Sequence, residues 1–98
     1  MIVEFRPLAR SDANGVVAWY ADKDRPDLAE RFQLDLERTL DGILDLPYRW
    51  PPAMLDSRRA LLRTMPYAVI YRVEPERIVV HAIAHQHQDP AVWQNRLR

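Results

Sequence analysis

Residues 67–84, YAVIYRVEPERIVVHAIA, decide the fold. The stretch contains two runs rich in β-branched and aromatic residues, Tyr67–Val73 and Ile78–Ala84, and such runs favour β-strands. Between them lies Glu74-Pro75-Glu76, with its proline at a position favoured in tight turns. Because strands joined by a short turn pair antiparallel, the stretch predicts a β-hairpin.

Shorter segments around the hairpin extend this prediction. Arg59–Arg63 is a weaker strand candidate that would complete an antiparallel sheet of three strands. Asp89 and Pro90 suit the N-cap and first position of a short terminal helix that ends near Arg96. Near the N-terminus, the apolar run from Ile2 to Phe5 predicts one further strand.

The middle of the chain predicts an antiparallel pair of helices. Pro26 suits the first turn of the second helix, and the polar break at residues 22–25 separates the two helices. The first apolar stripe is Ala9, Ala13, Val16 and Tyr20, and the second is Leu28, Phe32, Leu36, Leu40 and Ile43. The polar residues assigned to the solvent side of the second helix are Asp35, Glu37, Arg38 and Asp41.

The element order β-αα-βββ-α predicts an α+β fold: an N-terminal strand, a helical hairpin, a C-terminal antiparallel three-stranded sheet and a short terminal helix. A chain of 98 residues fits one domain, residues 1–98. It has no cysteine, no apolar run long enough to span a membrane and no signal-peptide pattern. We therefore expect a cytoplasmic protein without a membrane association.

Charge argues against direct binding to nucleic acid. The formal net charge is zero, with an acidic excess in the first half of the chain and an arginine excess in the second. Nucleic-acid binding depends on concentrated positive charge, and the chain has no run of lysine or arginine. The arginine-rich half predicts a basic face without predicting an RNA-binding surface.

Three histidines, His81, His85 and His87, fall on or near the last strand. Alternation along a strand would place them on one side, but their span is long for one metal ion and no acidic residue completes a site. We therefore expect no metal and no cofactor. Should the protein cleave RNA, Arg59 or Arg63 would hold the phosphate and His85 would transfer the proton. The same arginines also suit contacts to a partner's carboxylates.

Aromatic residues leave one question open. Tyr67 and Tyr71 lie four positions apart, an even number, so both side chains point the same way from their strand. Both a place in the core and a place on an exposed sheet face agree with this pattern.

The order of motifs along the chain resembles the ParE/RelE superfamily of bacterial toxins, which belong to type II toxin–antitoxin modules and include plasmid stabilisation proteins. The resemblance covers nearly the whole chain, from the N-terminal strand through the helical hairpin to the terminal segment. Its motifs are Arg59, Pro66-Tyr67 with Tyr71, His85, Pro90, Trp93 and Arg96.

The superfamily has two branches with different functions. RelE-like members are ribosome-dependent endoribonucleases, whereas ParE-like members lack the catalytic set and poison DNA gyrase. The ParE-like pattern His-x-x-Arg-x-Pro-x-x-Trp-x-x-Arg is matched here at His85, Pro90, Trp93 and Arg96. It departs at Gln88, where the pattern has arginine, and this removes a cation from the segment.

The resemblance implies a ParE-like toxin that binds gyrase rather than an enzyme, and a ParD-like antitoxin that forms a hetero-oligomer with it. The alternatives are a RelE-like ribonuclease and a non-toxic relative that only binds an antitoxin. The residues assigned to the target are Arg59, His85, Trp93 and Arg96, and those assigned to the antitoxin are Leu28, Phe32, Tyr67 and Tyr71. The ribonuclease alternative would use Arg59, Arg63 and His85 as catalytic residues.

Overall fold

The structure, a computed structural model, describes residues 1–98 and confirms the α+β class and the helical hairpin. The main elements are β1 (Ile2–Phe5), α1 (Pro7–Asp22), α2 (Pro26–Asp45), β2 (Arg58–Leu61), β3 (Tyr67–Glu74) and β4 (Arg77–His85). Short 3₁₀ turns lie at Met54–Asp56, Pro90–Val92 and Gln94–Leu97. The predicted terminal helix is thus two consecutive 3₁₀ turns, with Asp89 accepting the Ala91 N–H at 3.0 Å.

The sheet has four strands in the order β1-β4-β3-β2. The predicted antiparallel pairs β2-β3 and β3-β4 are present, and β1 joins the sheet as a parallel neighbour of β4. Ile2 lies opposite Arg77 and Phe5 lies opposite Val80. The predicted antiparallel sheet of three strands is thus confirmed, and the N-terminal strand, which was predicted without a partner, extends it to four strands. The connection from β1 to β4 contains both helices, β2 and β3, and it is long enough for the crossover that a parallel pair requires.

The helices cover one face of the sheet. Phe32 and Ile43 of α2 are fully buried against Val69 and Tyr71 of β3. The open question about the tyrosines is settled, because Tyr71 lies in this core and its hydroxyl donates to the Pro47 carbonyl at 2.8 Å. Burial raises the pKa of the Tyr71 phenol.

The terminal segment, residues 90–98, covers the opposite face. Trp93 and Leu97 pack on Ile70, Ala82 and Ala84, so the middle of the sheet is buried on both sides. The Arg72 guanidinium donates to the carbonyl oxygens of Leu55 and Leu97, which joins the loop before β2 to the terminal segment.

Asp35 departs from its predicted place on the solvent side of α2. It is only 3% exposed, and its carboxylate accepts the backbone N–H groups of Arg63, Thr64 and Met65 at 2.7–3.1 Å and the Thr64 hydroxyl at 2.8 Å. Burial alone would raise the pKa of Asp35, but these hydrogen bonds outweigh it and lower that pKa. Periodicity missed the contact because the donors come from a loop distant in sequence.

No helix of the protein has the length and apolar character that a membrane crossing requires.

Candidate functional site: a groove beside the terminal segment

A groove of about 660 Å³ lies between α1, the end of β4 and the terminal segment. Trp19 on α1 and Val92 in the terminal segment are 55% and 57% exposed and belong to its lining. Polar groups stand among the apolar ones, so the groove can take both apolar side chains and hydrogen-bonding groups. The other lining residues are Asp12, Gly15, Val16, Tyr20, Tyr67, Ile83, His85, His87, Gln88, Trp93 and Arg96.

Tyr67 links this groove to the core. Its hydroxyl donates to the Tyr20 hydroxyl at 3.3 Å, and its ring packs edge-on against Phe32 and His85 with centroids 5.2 and 5.4 Å apart. Burial, and then the hydrogen bond with Tyr20, raise the pKa of Tyr67. The phenol therefore stays protonated at neutral pH and offers hydrogen bonds rather than a base.

The histidines do not gather at one place. His85 and His87 are exposed neighbours, with ring centroids 5.7 Å apart and the His87 N–H donating to Nδ1 of His85 at 3.2 Å. His81 is buried elsewhere, because the register shifts between Ile70 and Tyr71 of β3 and leaves His81 without an opposite residue. This bulge breaks the alternation that would have aligned the three rings. No three His, Asp or Glu residues lie together as metal ligands.

Arg59 and Arg63 lie at different places relative to these histidines. Arg59 is exposed on β2, and its Nη2 lies 3.5 Å from the carbonyl oxygen of Gln86, the residue between His85 and His87. Arg63 lies in the loop after β2, where its backbone N–H donates to Asp35. The structure thus brings Arg59 close to the segment that carries the two exposed histidines.

Trp93 and Arg96 hold the terminal segment in place. Trp93 is 7% exposed, and Arg96 pairs with Asp12 through Nη1–Oδ2 at 2.7 Å and Nη2–Oδ1 at 3.3 Å. Nη1 of Arg96 also donates to the His81 carbonyl at 3.2 Å, and Asp12 accepts the Ile83 N–H at 3.0 Å. Their assignment to the target remains a prediction, alongside this structural role.

The residues assigned to the antitoxin divide in two. Phe32 and Tyr71 have no exposed surface, so in this conformation neither side chain can touch a partner. Leu28 and Tyr67 are partly exposed, and Tyr67 lines the groove. Trp19 was missing from the assignment, because its position beside the apolar stripe that ends at Tyr20 does not show whether the side chain is buried or exposed.

Comparisons with known proteins agree with the fold. Residues 3–90 match the family described as the ParE toxin of the type II toxin–antitoxin system parDE. A Sinorhizobium fredii protein named "Putative toxin Y4kP" is 31% identical over 84 residues, which cover 85% of this chain and 83% of that protein. A solved structure of a chromosomal ParDE toxin–antitoxin system from P. aeruginosa is similar in fold, with a TM-score of 0.74 at 17% identity over 87% of this chain and 95% of that one. The chain belongs to the ParE toxin family of type II toxin–antitoxin systems.

Proposed function

We propose that this toxin acts in the cytoplasm on DNA gyrase and that a cognate antitoxin neutralises it. The observation that carries the proposal is the family match over residues 3–90, together with the ParE-like spacing of His85, Pro90, Trp93 and Arg96. The toxin would act by binding gyrase on cleaved DNA, with no chemistry of its own. Gln88 stands exposed within this segment, where the ParE-like pattern has a cation.

The surface we assign to gyrase is the exposed end of the sheet. Arg59 and His85 are exposed there, and both are near Gln86: Arg59 through its contact with the Gln86 carbonyl, and His85 as the preceding residue. Trp93 and Arg96 contribute by holding the terminal segment against the sheet, since both are engaged with the protein itself. Exposed charged and aromatic groups held on a rigid scaffold are suited to recognition of a large partner.

The surface we assign to the antitoxin is the groove and the neighbouring free edge of the sheet. An amphipathic helix would place its apolar side chains between Trp19 and Val92, as helices do in apolar grooves. On its outer side the edge strand β2 is bridged only at Arg58, by Pro52, so the outer side of residues 59–61 can receive an added strand. An antitoxin tail that used both surfaces would be disordered alone and fold on binding.

Inducible expression in a bacterial host tests the target. Labelled thymidine and labelled methionine are followed in the first minutes, and purified toxin is then added to gyrase and plasmid DNA to detect cleavage complexes. We expect DNA synthesis to stop first and cleavage complexes to accumulate. Arg59→Ala and His85→Ala should lower the yield of complexes about tenfold or more, and Arg31→Ala, an exposed change on α2, should not. A full yield of complexes from both variants would remove this surface from the proposal.

Binding measurements test the groove with the antitoxin encoded beside the toxin. Trp19→Ala should weaken binding at least about tenfold, since exposed tryptophans are common energetic anchors of interfaces. Tyr48→Ala is the matched control, because Tyr48 is also a large exposed aromatic residue and lies outside the groove. Equal affinities of the two variants would exclude the groove as the docking site.

A second candidate function rests on one contact. Arg59 reaches the carbonyl of Gln86, so a cation lies near two exposed imidazoles, as RNA cleavage would require. If the protein is a ribosome-dependent ribonuclease, methionine incorporation should fall first. Messenger RNA should then be cut on ribosomes, and His85→Ala should abolish the cutting.

If expression changes neither DNA synthesis nor protein synthesis, the protein is a non-toxic relative that binds an antitoxin.

A further inference from the structure

A second, smaller pocket of about 240 Å³ lies where α1 begins. It is lined by Arg6, Pro7, Leu8, His81 and Arg96, and it shares only Arg96 with the groove. The Arg6 N–H donates to the Val80 carbonyl at 2.9 Å, which places Arg6 beside the bulged His81. Apart from Arg96, no residue of this pocket has a part in the gyrase proposal or in the antitoxin proposal.

The start of α1 leaves positive charge uncompensated in this pocket. No side chain caps the helix, Pro7 is at its first position and its first turn contains no acidic residue. The free N–H groups of a helix start carry partial positive charge. Arg6 takes part in none of the salt bridges, whereas Arg96 is neutralised by Asp12.

His81 is the second, independent observation. The residue is 8% exposed, and its buried Nε2 has no hydrogen-bond partner. Burial, then Arg72 and Arg6, lower the pKa of His81, and Glu74 opposes them only weakly. Buried polar nitrogens without a partner are rare and costly in folded proteins, so this one points to a group that binds there.

We propose that the pocket binds a phosphate group, held by the Arg6 guanidinium, the backbone N–H of Leu8 at the start of α1 and Nε2 of His81. The charge balance favours phosphate over a carboxylate. Arg6 and the helix start already supply more than one unit of positive charge, and phosphate presents oxygens in several directions. Protonation of His81 on binding would raise the positive charge to about that needed to balance a phosphate dianion. Binding would favour protonation of His81, because a nearby negative charge stabilises the imidazolium.

Inorganic phosphate is the first probe, added to the full chain with ¹⁵N-labelled imidazoles while sodium chloride keeps the ionic strength constant. We expect the His81 signals to shift with saturation and the proton affinity of His81 to rise about tenfold. Sodium acetate, used in the same way, should shift them at least about tenfold more weakly. His81 signals that respond equally to phosphate, acetate and chloride would overturn the proposal.

Variants separate this pocket from general charge effects. Arg6→Gln should weaken phosphate binding about tenfold, and Arg31→Gln, which removes an exposed arginine from α2, should leave it unchanged. His81→Gln keeps an N–H donor and cannot gain charge, so the pH dependence of phosphate binding that comes from the imidazole should disappear. Only the dependence that comes from the second ionisation of phosphate itself should remain. Equal affinities of Arg6→Gln and Arg31→Gln would refute the site, whatever the stability of His81→Gln.

A further pair of probes identifies the source of the phosphate. A dinucleotide with a 5′-phosphate and the same dinucleotide with a 5′-hydroxyl differ only in the terminal group. Tighter binding of the phosphorylated form than of inorganic phosphate would assign the pocket to a nucleic-acid end. Equal affinities for the 5′-phosphorylated dinucleotide and for inorganic phosphate would show that the pocket recognises the phosphate group alone.

Discussion

Arg96 and Asp12 form a two-contact ion pair that fastens the end of the chain to the first helix. The Nη1–Oδ2 and Nη2–Oδ1 distances are 2.7 and 3.3 Å, and the side chains are 20% and 22% exposed. Asp12 also accepts the Ile83 N–H, so α1, β4 and the terminal segment meet at one carboxylate. Charge-assisted pairs with this two-point geometry are stronger than single surface contacts.

Arg96→Ala should destabilise the protein by about 2 kcal/mol, because it leaves the Asp12 carboxylate partly buried without its cation. Arg96→Lys keeps the positive charge but cannot make both contacts to Asp12. Its free energy of unfolding should therefore lie between those of the parent and Arg96→Ala. Urea unfolding measures both, with the exposed Arg98→Ala as control, expected within about 0.5 kcal/mol of the parent. Arg96→Ala at parental stability would show that the pair is dispensable, and would make any loss of toxicity a direct effect on the target.

Asp35→Asn should cost about 2–3 kcal/mol, since an amide cannot accept all the N–H groups that the carboxylate accepts from residues 63–65. The lowered pKa of Asp35 contributes stability that is present above the unfolded-state pKa of about 4 and is lost as the pH falls through the folded-state value. Unfolding free energies at pH 6 and pH 3 should therefore differ less in Asp35→Asn than in the parent. Asp41→Asn, an exposed change on the same helix, is the control and should follow the parent.

Tyr71→Phe should lower the free energy of unfolding by about 1 kcal/mol, because it removes the hydrogen bond to the Pro47 carbonyl from a fully buried site.

The raised pKa values of Tyr67 and Tyr71 contribute stability below the unfolded-state pKa of about 10, which is lost as the pH rises further. The unfolding free energy should thus fall less between about pH 9 and pH 11 in Tyr67→Phe and Tyr71→Phe than in the parent. An equal fall in the parent and both variants would contradict this explanation.

Trp93→Ala should cost about 3 kcal/mol, since the indole fills the space between the terminal segment and Ile70, Ala82 and Ala84. Thermal unfolding measures the loss, and Trp93→Phe should recover part of it. Trp19→Ala, which trims an exposed indole, is the size-matched control and should change stability little. Similar melting temperatures for the two alanine variants would mean that the terminal segment is not packed as described.

The local patterns of the sequence predicted most of the fold. The β3–β4 hairpin and the two helices follow from alternation, the helical stripe and the position of Pro26. The parallel place of β1 could not be predicted, because four residues of strand contain no information about a partner so far along the chain. The buried place of Asp35 was missed for a similar reason, since its donors lie in a loop that folding alone brings near.

The site was less accessible to sequence reasoning than the fold. Family spacing pointed to Trp93 and Arg96, but their burial and pairing appear only when the terminal segment is seen against the sheet. The pocket around His81 depends on a single β-bulge opposite Tyr71, and no composition or periodicity signals such a bulge. Trp19 was also missed, because a position beside the helical stripe does not show whether an aromatic residue is buried or exposed.

The parallel pairing of β1 with β4 sets the order in which the protein can fold during its synthesis. Ile2 leaves the ribosome well before its partner Arg77, which is made only after both helices, β2 and β3. Contacts between such distant parts of a chain form late and slowly. A nascent toxin therefore has no complete sheet. The exposed end of the sheet and the groove beside the terminal segment form only after residues 90–98 have been translated.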